Sequence, residues 1–324
     1  MTKLIALPAI LFGVASLVLA AEVRAQAYPA KPVRVVVPWP PGASNDTMGR
    51  VISQHLSENL GQQFVVENRG GAASIIGTEL VAKSAPDGYT LLVTSATIVA
   101  NALIYKKLPY EPLKDFVGIT ALAKQVGILV THPSLPARNV KELIALAHAR
   151  PKEIVFASTG IGSFTYFCMA LFNEMTKTQT LHVAYKGGGP ALIALMSGEV
   201  HVFVTGISAA IPQMKAKRLR ALAITASERT PQLPEIPTMS EAGVPGYELT
   251  AWVGAFAPGA TPRPIVEKLN GEIKKVLEHP DVEKNLVAQT LDPMYMSVDE
   301  FAARMKADYE KYDKLVKTTG AKVE

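Results

Sequence analysis

Two loops of the sequence combine glycine, small hydroxyl side chains and a place just before a predicted helix, which suits them to bind an anion. The first loop, residues 38–46, follows a run of valines and carries three prolines before its glycine. Unpaired amides at a helix N-terminus, with the positive end of the helix dipole, attract an anion without a charged side chain. The alternative is simple capping by Ser44 or Asn45, with Asp46 favouring the first turn, and position alone does not separate the two. The candidate ligand contacts of this loop are Pro41, Gly42, Ala43, Ser44 and Asp46.

The second loop, residues 159–163, has the same form, because it follows a predicted strand and leads directly into a helix. Ligands of open α/β sheets bind outside the carboxyl ends of the strands, where both loops would lie and could face each other across a cleft. A third glycine cluster, residues 185–190, repeats the arrangement and adds Lys186, for which exposure to solvent is the alternative. Further candidate ligand contacts at or near strand ends are Ser95, Thr97, Thr159, Gly162, Ser163, Tyr166, Tyr185 and Thr205.

A catalytic site is the main rival interpretation, since Ser163, the six histidines and many carboxylates could in principle build one. The sequence contains no Gly-x-Ser-x-Gly elbow, no Walker loop, and no His-Glu-x-x-His or paired-cysteine metal motif. The histidines are also isolated from one another along the chain. We therefore expect a binding protein rather than an enzyme, with no catalytic residue, no metal site and no cofactor.

The elements that must position these loops follow an α/β pattern, in which short β-branched runs alternate with amphipathic helices. Three strands separated by two helices form a first unit. The pattern restarts near Gly127 with a second sheet, and two extended stretches flank a proline-rich loop before the chain becomes mainly helical from Pro262. We expect a two-lobed α/β fold in which each lobe is a mostly parallel sheet flanked by helices. The predicted lobes are residues 26–125 with 253–324, and residues 126–252.

The first residues have the layout of a secretory signal peptide. Lys3 precedes an uncharged apolar run, and Val23-Arg24-Ala25 is a small-residue cleavage pattern, so we expect residues 1–25 to be removed near Ala25 and the mature chain to be periplasmic.

Cys168 is the only cysteine, so no intramolecular disulfide can form. The formal charge of +5 is spread along the chain. This favours anionic ligands and, without aromatic interleaving, does not indicate nucleic-acid binding.

Segments spread over the whole mature chain carry a family resemblance. They run from Tyr28-Pro29-Ala30-Lys31-Pro32 and Val37-Pro38-Trp39-Pro40-Pro41-Gly42, through Glu67-Asn68-Arg69 and Pro86-Asp87-Gly88-Tyr89-Thr90, to Tyr185-Lys186-Gly187-Gly188-Gly189-Pro190 and Glu241-Ala242-Gly243. In order and spacing the sequence resembles the tripartite tricarboxylate transporter substrate-binding family, also called the Bug receptors. The resemblance implies a Venus-flytrap receptor, type II-like, whose loops 41–46 and 159–163 hold a small carboxylate through amides, hydroxyls and ordered waters. It implies the membrane permease subunits of a secondary transporter as the partner, and we expect the receptor itself to be a monomer.

Three positions depart from the family pattern. Ala43 replaces a second glycine, Tyr166 replaces a histidine, and Thr205 replaces an aspartate that would be the natural partner of a ligand ammonium. With Phe164 and Tyr166 as aromatic surface, the pocket is expected to suit a di-, tri- or aromatic carboxylate without an amino group. Two other functions stay open at this point, which are a sensing receptor for a membrane signalling protein and a periplasmic hydrolase.

Overall fold

The computed structural model describes residues 28–288 and 291–320, so the predicted signal peptide and its cleavage near Ala25 lie outside the described residues. No helix within these two ranges is long and apolar enough to cross a membrane. In chain order the strands are β1 (Val33–Val37), β2 (Phe64–Asn68), β3 (Thr90–Ser95), β4 (Phe116–Gln125), β5 (Gly127–Thr131), β6 (Val155–Ser158), β7 (Leu181–Ala184), β8 (Val202–Gly206), β9 (Arg220–Ile224), β10 (Ala251–Pro258) and β11 (Asp292–Pro293). The α-helices are α1 (Ser44–Leu60), α2 (Ile75–Ala82), α3 (Thr97–Ile104), α4 (Val140–Ala149), α5 (Phe164–Thr176), α6 (Gly188–Ser197), α7 (Ile207–Lys215), α8 (Arg263–Leu277), α9 (Pro280–Ala288) and α10 (Val298–Thr319), and a short 3-10 turn covers Ala72–Ser74.

The strands form two mixed sheets. The first has six strands in the order β11-β4-β10-β3-β1-β2, in which β10 and β11 run against the other four. The second has five in the order β7-β6-β8-β5-β9, in which only β5 runs against the rest. Helices pack against both sheets, so the predicted two-lobed α/β architecture is confirmed. In each sheet most strands share one direction, and the carboxyl ends of those strands lie along the same edge.

Helix α1 shows how the local sequence fixes an element. Met48, Ile52 and Leu56 recur at helical spacing, and all three side chains are buried against the first sheet. The helix ends at Gly61, whose φ of 67° is left-handed and whose amide bonds the carbonyl of Ser57. Glycine adopts this conformation without the steric penalty of a Cβ, so the helix ends here.

The chain passes between the sheets at two adjacent places. β4 ends at Gln125 and β5 begins at Gly127, so one residue separates strands of different sheets. The return runs from Ile224 at the end of β9 to Ala251 at the start of β10. The Gly127 amide donates to Thr225 Oγ1, and the Thr225 amide donates to the Gly127 carbonyl, both at 2.9 Å. The two crossings are therefore held next to each other.

The C-terminal helix α10 packs on both lobes. One side contacts β4 and α3, and another contacts α5, where the rings of Phe167 and Tyr312 lie 5.0 Å apart. Trp252 of β10 is fully buried, and its indole donates a 2.6 Å hydrogen bond to Asp308 of α10. The sequence pattern assigns this helix to the first lobe, but its contacts extend to the second.

The sequence does not predict β4, α3 or α7. Nearly every residue of α3 is buried, so it lacks the polar face that makes a helix recognisable from periodicity. α7 contains Pro212, and proline in a sequence argues against a helix interior. In each case tertiary packing decides the element.

Candidate functional site

The first loop is anchored by the side chain of Asp46. This carboxylate is buried, with Oδ2 accepting from the Gly42 amide at 2.9 Å and from Arg50 Nε at 3.0 Å. Its Oδ1 accepts from Asn68 Nδ2 at 2.9 Å, and the same Asn68 group bonds the carbonyl of Trp39. Asp46 thus ties the loop to the end of β2 and is itself fully engaged.

The N-cap of α1 is Ala43, which makes no side-chain capping bond, so the capping alternative with Ser44 or Asn45 is wrong. Asp46 instead binds the amide of Gly42, which precedes the helix, so it closes the loop without capping the first turn. In the described part of the chain, the amides of Ser44 and Asn45 have no hydrogen-bond partner. These amides, at the positive end of α1, are donors that remain for an anion.

Two opposing effects act on the Asp46 carboxyl. Burial alone would raise its pKa, but the hydrogen bonds from Arg50, the Gly42 amide and Asn68, with the charge of Arg50, lower it below the usual range. The carboxylate therefore stays ionised and paired inside the protein. It is not free to bind a ligand cation.

The second loop is anchored by neutral hydroxyl groups. Ser163 is the N-cap of α5, where its Oγ accepts from the Tyr166 amide at 3.2 Å and donates to the Gly160 carbonyl at 2.7 Å. Thr165 Oγ1 accepts from the Thr159 amide at 2.9 Å. In the described residues the amides of Ile161 and Gly162 stay unpaired. Ser163 therefore shapes the loop, and the amides are what it offers to a ligand.

A third segment, residues 70–74, lies beside these loops and was missed by the sequence interpretation. Ala72, Ala73 and Ser74 all have positive φ angles, of 45°, 50° and 76°. Left-handed backbone at successive non-glycine residues is costly and often marks a functional site. The Ser74 hydroxyl is buried with no partner among the described residues. The glycine pair that begins this segment was the only hint in the sequence.

Helix α3 connects this third segment to the second lobe. Asn101, on α3, is fully buried and donates from Nδ2 to the Ala73 carbonyl at 2.9 Å, while its Oδ1 has no partner in the described chain. A Cβ placed on Gly162 would lie 3.3 Å from that Oδ1 and 2.7 Å from Cδ1 of Ile104. The second loop therefore touches α3. A Cβ on Gly70 would in turn lie within 4 Å of Trp39 and Pro40 of the first loop.

The structure thus brings the two predicted loops, the 70–74 segment and the start of α3 to one place between the lobes. Ser95 and Thr97 lie there, at the end of β3 and the start of α3, both buried and joined by a 2.9 Å hydrogen bond between their hydroxyls. Thr205 is buried at the carboxyl end of β8, opposite Ile128 in the ladder. Pro41, Gly42 and Ala43 belong to the first loop and are not deeply buried.

Two predicted contacts have their side chains engaged elsewhere. Tyr185 donates its hydroxyl to Glu199 at 2.7 Å. Tyr166 packs its ring 4.9 Å from that of His182, in a groove of about 400 Å³ beside α5. This groove is also lined by Asn173, Lys177 and, from α10, Thr318. Within the described ranges no group of three His, Cys, Asp or Glu side chains could hold a metal ion.

Comparison with known proteins gives consistent matches over nearly the whole chain. The model of the family described as "Tripartite tricarboxylate transporter family receptor" matches residues 48–321. Protein BugT of Bordetella pertussis is 36% identical over 325 residues, covering 100% of this chain and 99% of its own. The solved structure of R. palustris Rpa4515 with adipate has a TM-score of 0.85 and 35% identity, covering 90% of this chain and 98% of its own. MatC from Rhodopseudomonas palustris, solved with bound malate, has a TM-score of 0.82 and 32% identity, covering 89% and 100%.

Proposed function

The chain belongs to the tripartite tricarboxylate transporter receptor family, and on that premise we propose that it is a periplasmic receptor delivering a small carboxylate to a membrane transporter. The ligand lies between the two lobes, and the membrane partner is the permease of a tripartite tricarboxylate-type system. The observation that carries the proposal is that α3 links the two loops, since it contacts the second loop directly and the first loop through the 70–74 segment. Their unpaired amides supply donors from both sheets to one ligand.

The ligand is a dicarboxylate without an ammonium group. Relatives at 35% and 32% identity hold adipate and malate, both of which fit this description. The only carboxylate of the first loop, Asp46, is already paired with Arg50 and Asn68, and position 205 is a neutral threonine. A ligand ammonium would therefore lose water without gaining a counter-charge, which is unfavourable in a partly buried cleft.

The proposal includes a bending motion between the lobes. Residues 26–125 with 253–324 move against residues 126–252, with the adjacent crossings at Gly127 and Thr225 as the hinge. Such closure makes the solution shape more compact. Small-angle scattering with and without saturating ligand measures it, and an unchanged radius of gyration with confirmed binding would rule it out.

Export is the second part of the proposal, with removal of residues 1–25. Mass spectrometry of the periplasmic fraction is expected to find a mature chain starting near Gln26. Recovery of only the full-length chain from the cytoplasm would contradict it.

A sensory role is the other candidate function, and capture of the loaded form by a membrane signalling protein instead of a permease would favour it.

Calorimetry tests the ligand class most simply. Adipate and malate are expected to bind, whereas the matching diamides and acidic amino acids bind at least about tenfold more weakly, since charge-assisted hydrogen bonds contribute about 1.5–3 kcal/mol each. Thr205→Asp is expected to weaken dicarboxylate binding further, because it adds a negative charge to a partly desolvated site. If amides bind as well as free acids, or amino acids bind best, the carboxylate proposal is wrong.

A further inference from the structure

Ser158 and His182 form a hydrogen-bonded pair directly behind the second loop. Ser158 ends β6 and is fully buried, and its Oγ lies 2.6 Å from Nε2 of His182 on the neighbouring strand β7. The same Oγ accepts from the amide of Gly160 at 3.0 Å. One hydroxyl therefore connects a titratable side chain to the backbone of the candidate ligand loop.

The hydrogen-bond inventory fixes the direction of this chain. A serine hydroxyl has one proton to donate, and Gly160 uses Oγ as an acceptor, so the proton must go to another acceptor. Within the described residues the only one is His182 Nε2, which accepts only when the imidazole is neutral and carries its proton on Nδ1. A neutral ring protonated on Nδ1 leaves both Ser158 Oγ and the Gly160 amide with a partner. A protonated ring would direct a second donor at Oγ and leave the buried serine proton without a partner.

We propose that His182 is a positioning residue for the ligand loop, acting through Ser158 and Gly160, so that carboxylate affinity falls when His182 takes up a proton. This rests on the proposed function, since it assigns residues 159–163 to the ligand. The Gly160 carbonyl also accepts from Ser163, so a shift at Gly160 reaches the cap of α5. The pair sits behind the loop and holds its backbone in place for binding.

The other side chains around His182 are aromatic, neutral or already paired with each other. From β6 the ring faces Phe156, with centroids 4.9 Å apart, and from α5 it faces Tyr166. The charged groups of the same groove are Glu174 on α5 and Lys177, the residue directly after α5, which pair with each other at 3.1 Å. Beyond them α10 contributes Thr318, which is neutral.

The sign of the pH effect follows from burial. Desolvation lowers the pKa of His182 below its usual range, so the ring is neutral near neutral pH. The satisfied chain is thus fully present at neutral pH and is lost as the pH falls through this lowered pKa. Affinity is therefore expected to decrease in acid.

The test compares wild type with His182→Gln and His182→Phe. Adipate is titrated by calorimetry from about pH 7.5 to about pH 5, a range in which histidine titrates. Glutamine keeps an acceptor without titrating, so we expect near wild-type affinity at neutral pH and a smaller loss in acid than in wild type. Phenylalanine removes the acceptor, so we expect roughly tenfold weaker binding at all pH values, corresponding to one unpaired buried donor. Protonation of adipate itself changes the affinity equally in wild type and both variants, so it does not affect the comparison.

A ligand-free measurement separates this inference from the proposed function. The amide resonance of Gly160 is followed by NMR against pH, and it is expected to titrate together with the His182 ring in wild type and to stay unchanged in His182→Gln. His201→Gln is the matched control. His201 is also a half-buried histidine that accepts a backbone hydrogen bond, from Val155 at the other end of β6, and its replacement should leave the Gly160 titration intact.

Two results would overturn the inference. One is an equal pH dependence of adipate affinity in wild type and His182→Gln, and the other is a Gly160 amide that does not respond to His182. If no carboxylate binds wild type at any pH, the proposed function fails, and the Gly160 titration alone then decides whether His182 positions the loop.

Discussion

The two loops that the sequence presents as equivalents are built in physically different ways. In the first, residues 38–46, a buried carboxylate holds the loop, with Asp46 bonded to Gly42, Arg50 and Asn68. In the second, residues 159–163, a series of neutral hydroxyls does so, and its far end is a histidine. The same strand-glycine-helix pattern therefore has a charged anchor in one lobe and a neutral anchor in the other.

Because of this difference, the anchors of the two loops are lost at different pH values. The charged anchor depends on an ionised carboxylate, whose pKa is lowered, so it persists until strongly acidic pH. The neutral anchor depends on an unprotonated histidine and is sensitive nearer neutral pH. The geometry of the first loop is therefore expected to stay the same down to strongly acidic pH. The geometry of the second loop is expected to change when His182 is protonated.

The largest effect is expected from removing the charged anchor. Asp46→Ala leaves the Gly42 amide and Asn68 without their acceptor, and we expect the free energy of unfolding to fall by about 2–3 kcal/mol in urea denaturation. The matched control is Asp299→Ala, which removes an exposed carboxylate paired with Arg263, and for which we expect a much smaller change because solvent screens the pair. Equal losses in the two variants would mean that the Asp46 anchor adds nothing beyond a surface pair.

The Asp46 contribution also has a defined pH dependence. Because its folded pKa is lowered, the stabilisation is present above the unfolded carboxyl pKa of about 4 and is lost as the pH falls through the folded value. The stability difference between wild type and Asp46→Ala should therefore shrink only in strong acid. A difference that disappears between pH values of about 7 and about 5 would contradict this reading.

The next largest effect compares two glycines, Gly162 and Gly42, and distinguishes a clash with α3 from the strain of left-handed backbone. Gly162 and Gly42 have nearly equal φ angles of 87° and 83°, but of the two only Gly162 has neighbours among the described residues within 4 Å of an added Cβ, on α3. Alanine at either position is expected to cost about 1–2 kcal/mol of stability from the left-handed backbone. Only Gly162→Ala should additionally weaken carboxylate binding through the clash with Ile104 and Asn101. Calorimetry on both variants decides, and equal losses of affinity would show that the contact with α3 is irrelevant.

The smallest effect concerns two serines at corresponding places. Ser163→Ala removes the N-cap of α5, so we expect about 1 kcal/mol of destabilisation. Ser44→Ala should change stability by less than about 0.5 kcal/mol, since Ser44 makes no capping bond. Thermal or urea unfolding of the two variants measures this. If Ser44→Ala lost more stability than Ser163→Ala, the assignment of a hydroxyl anchor to the second loop and not to the first would be wrong.

The sequence predicted the general layout because that information is local. Runs such as Val33–Val37 and the apolar spacing of α1 indicate their own structure, and the glycines marked both loops. β4 was missed because it pairs with β10 from the far end of the chain. The role of Asp46 was missed because its partner Asn68 comes from another strand. The 70–74 segment was missed because nothing in two alanines and a serine signals left-handed backbone.

A crystal structure of the protein with its tightest-binding dicarboxylate is the decisive test of the proposed ligand site between the loops. We expect a ligand between the lobes, in contact with residues 41–46 and 159–163, with a carboxylate oxygen about 2.7–3.2 Å from loop amides that have no partner among the described residues. Ser163 Oγ should keep its bonds to the Gly160 carbonyl and the Tyr166 amide. A ligand in the groove beside Tyr166 and His182, or one whose carboxylate points away from both loops, would show that the proposed site is wrong.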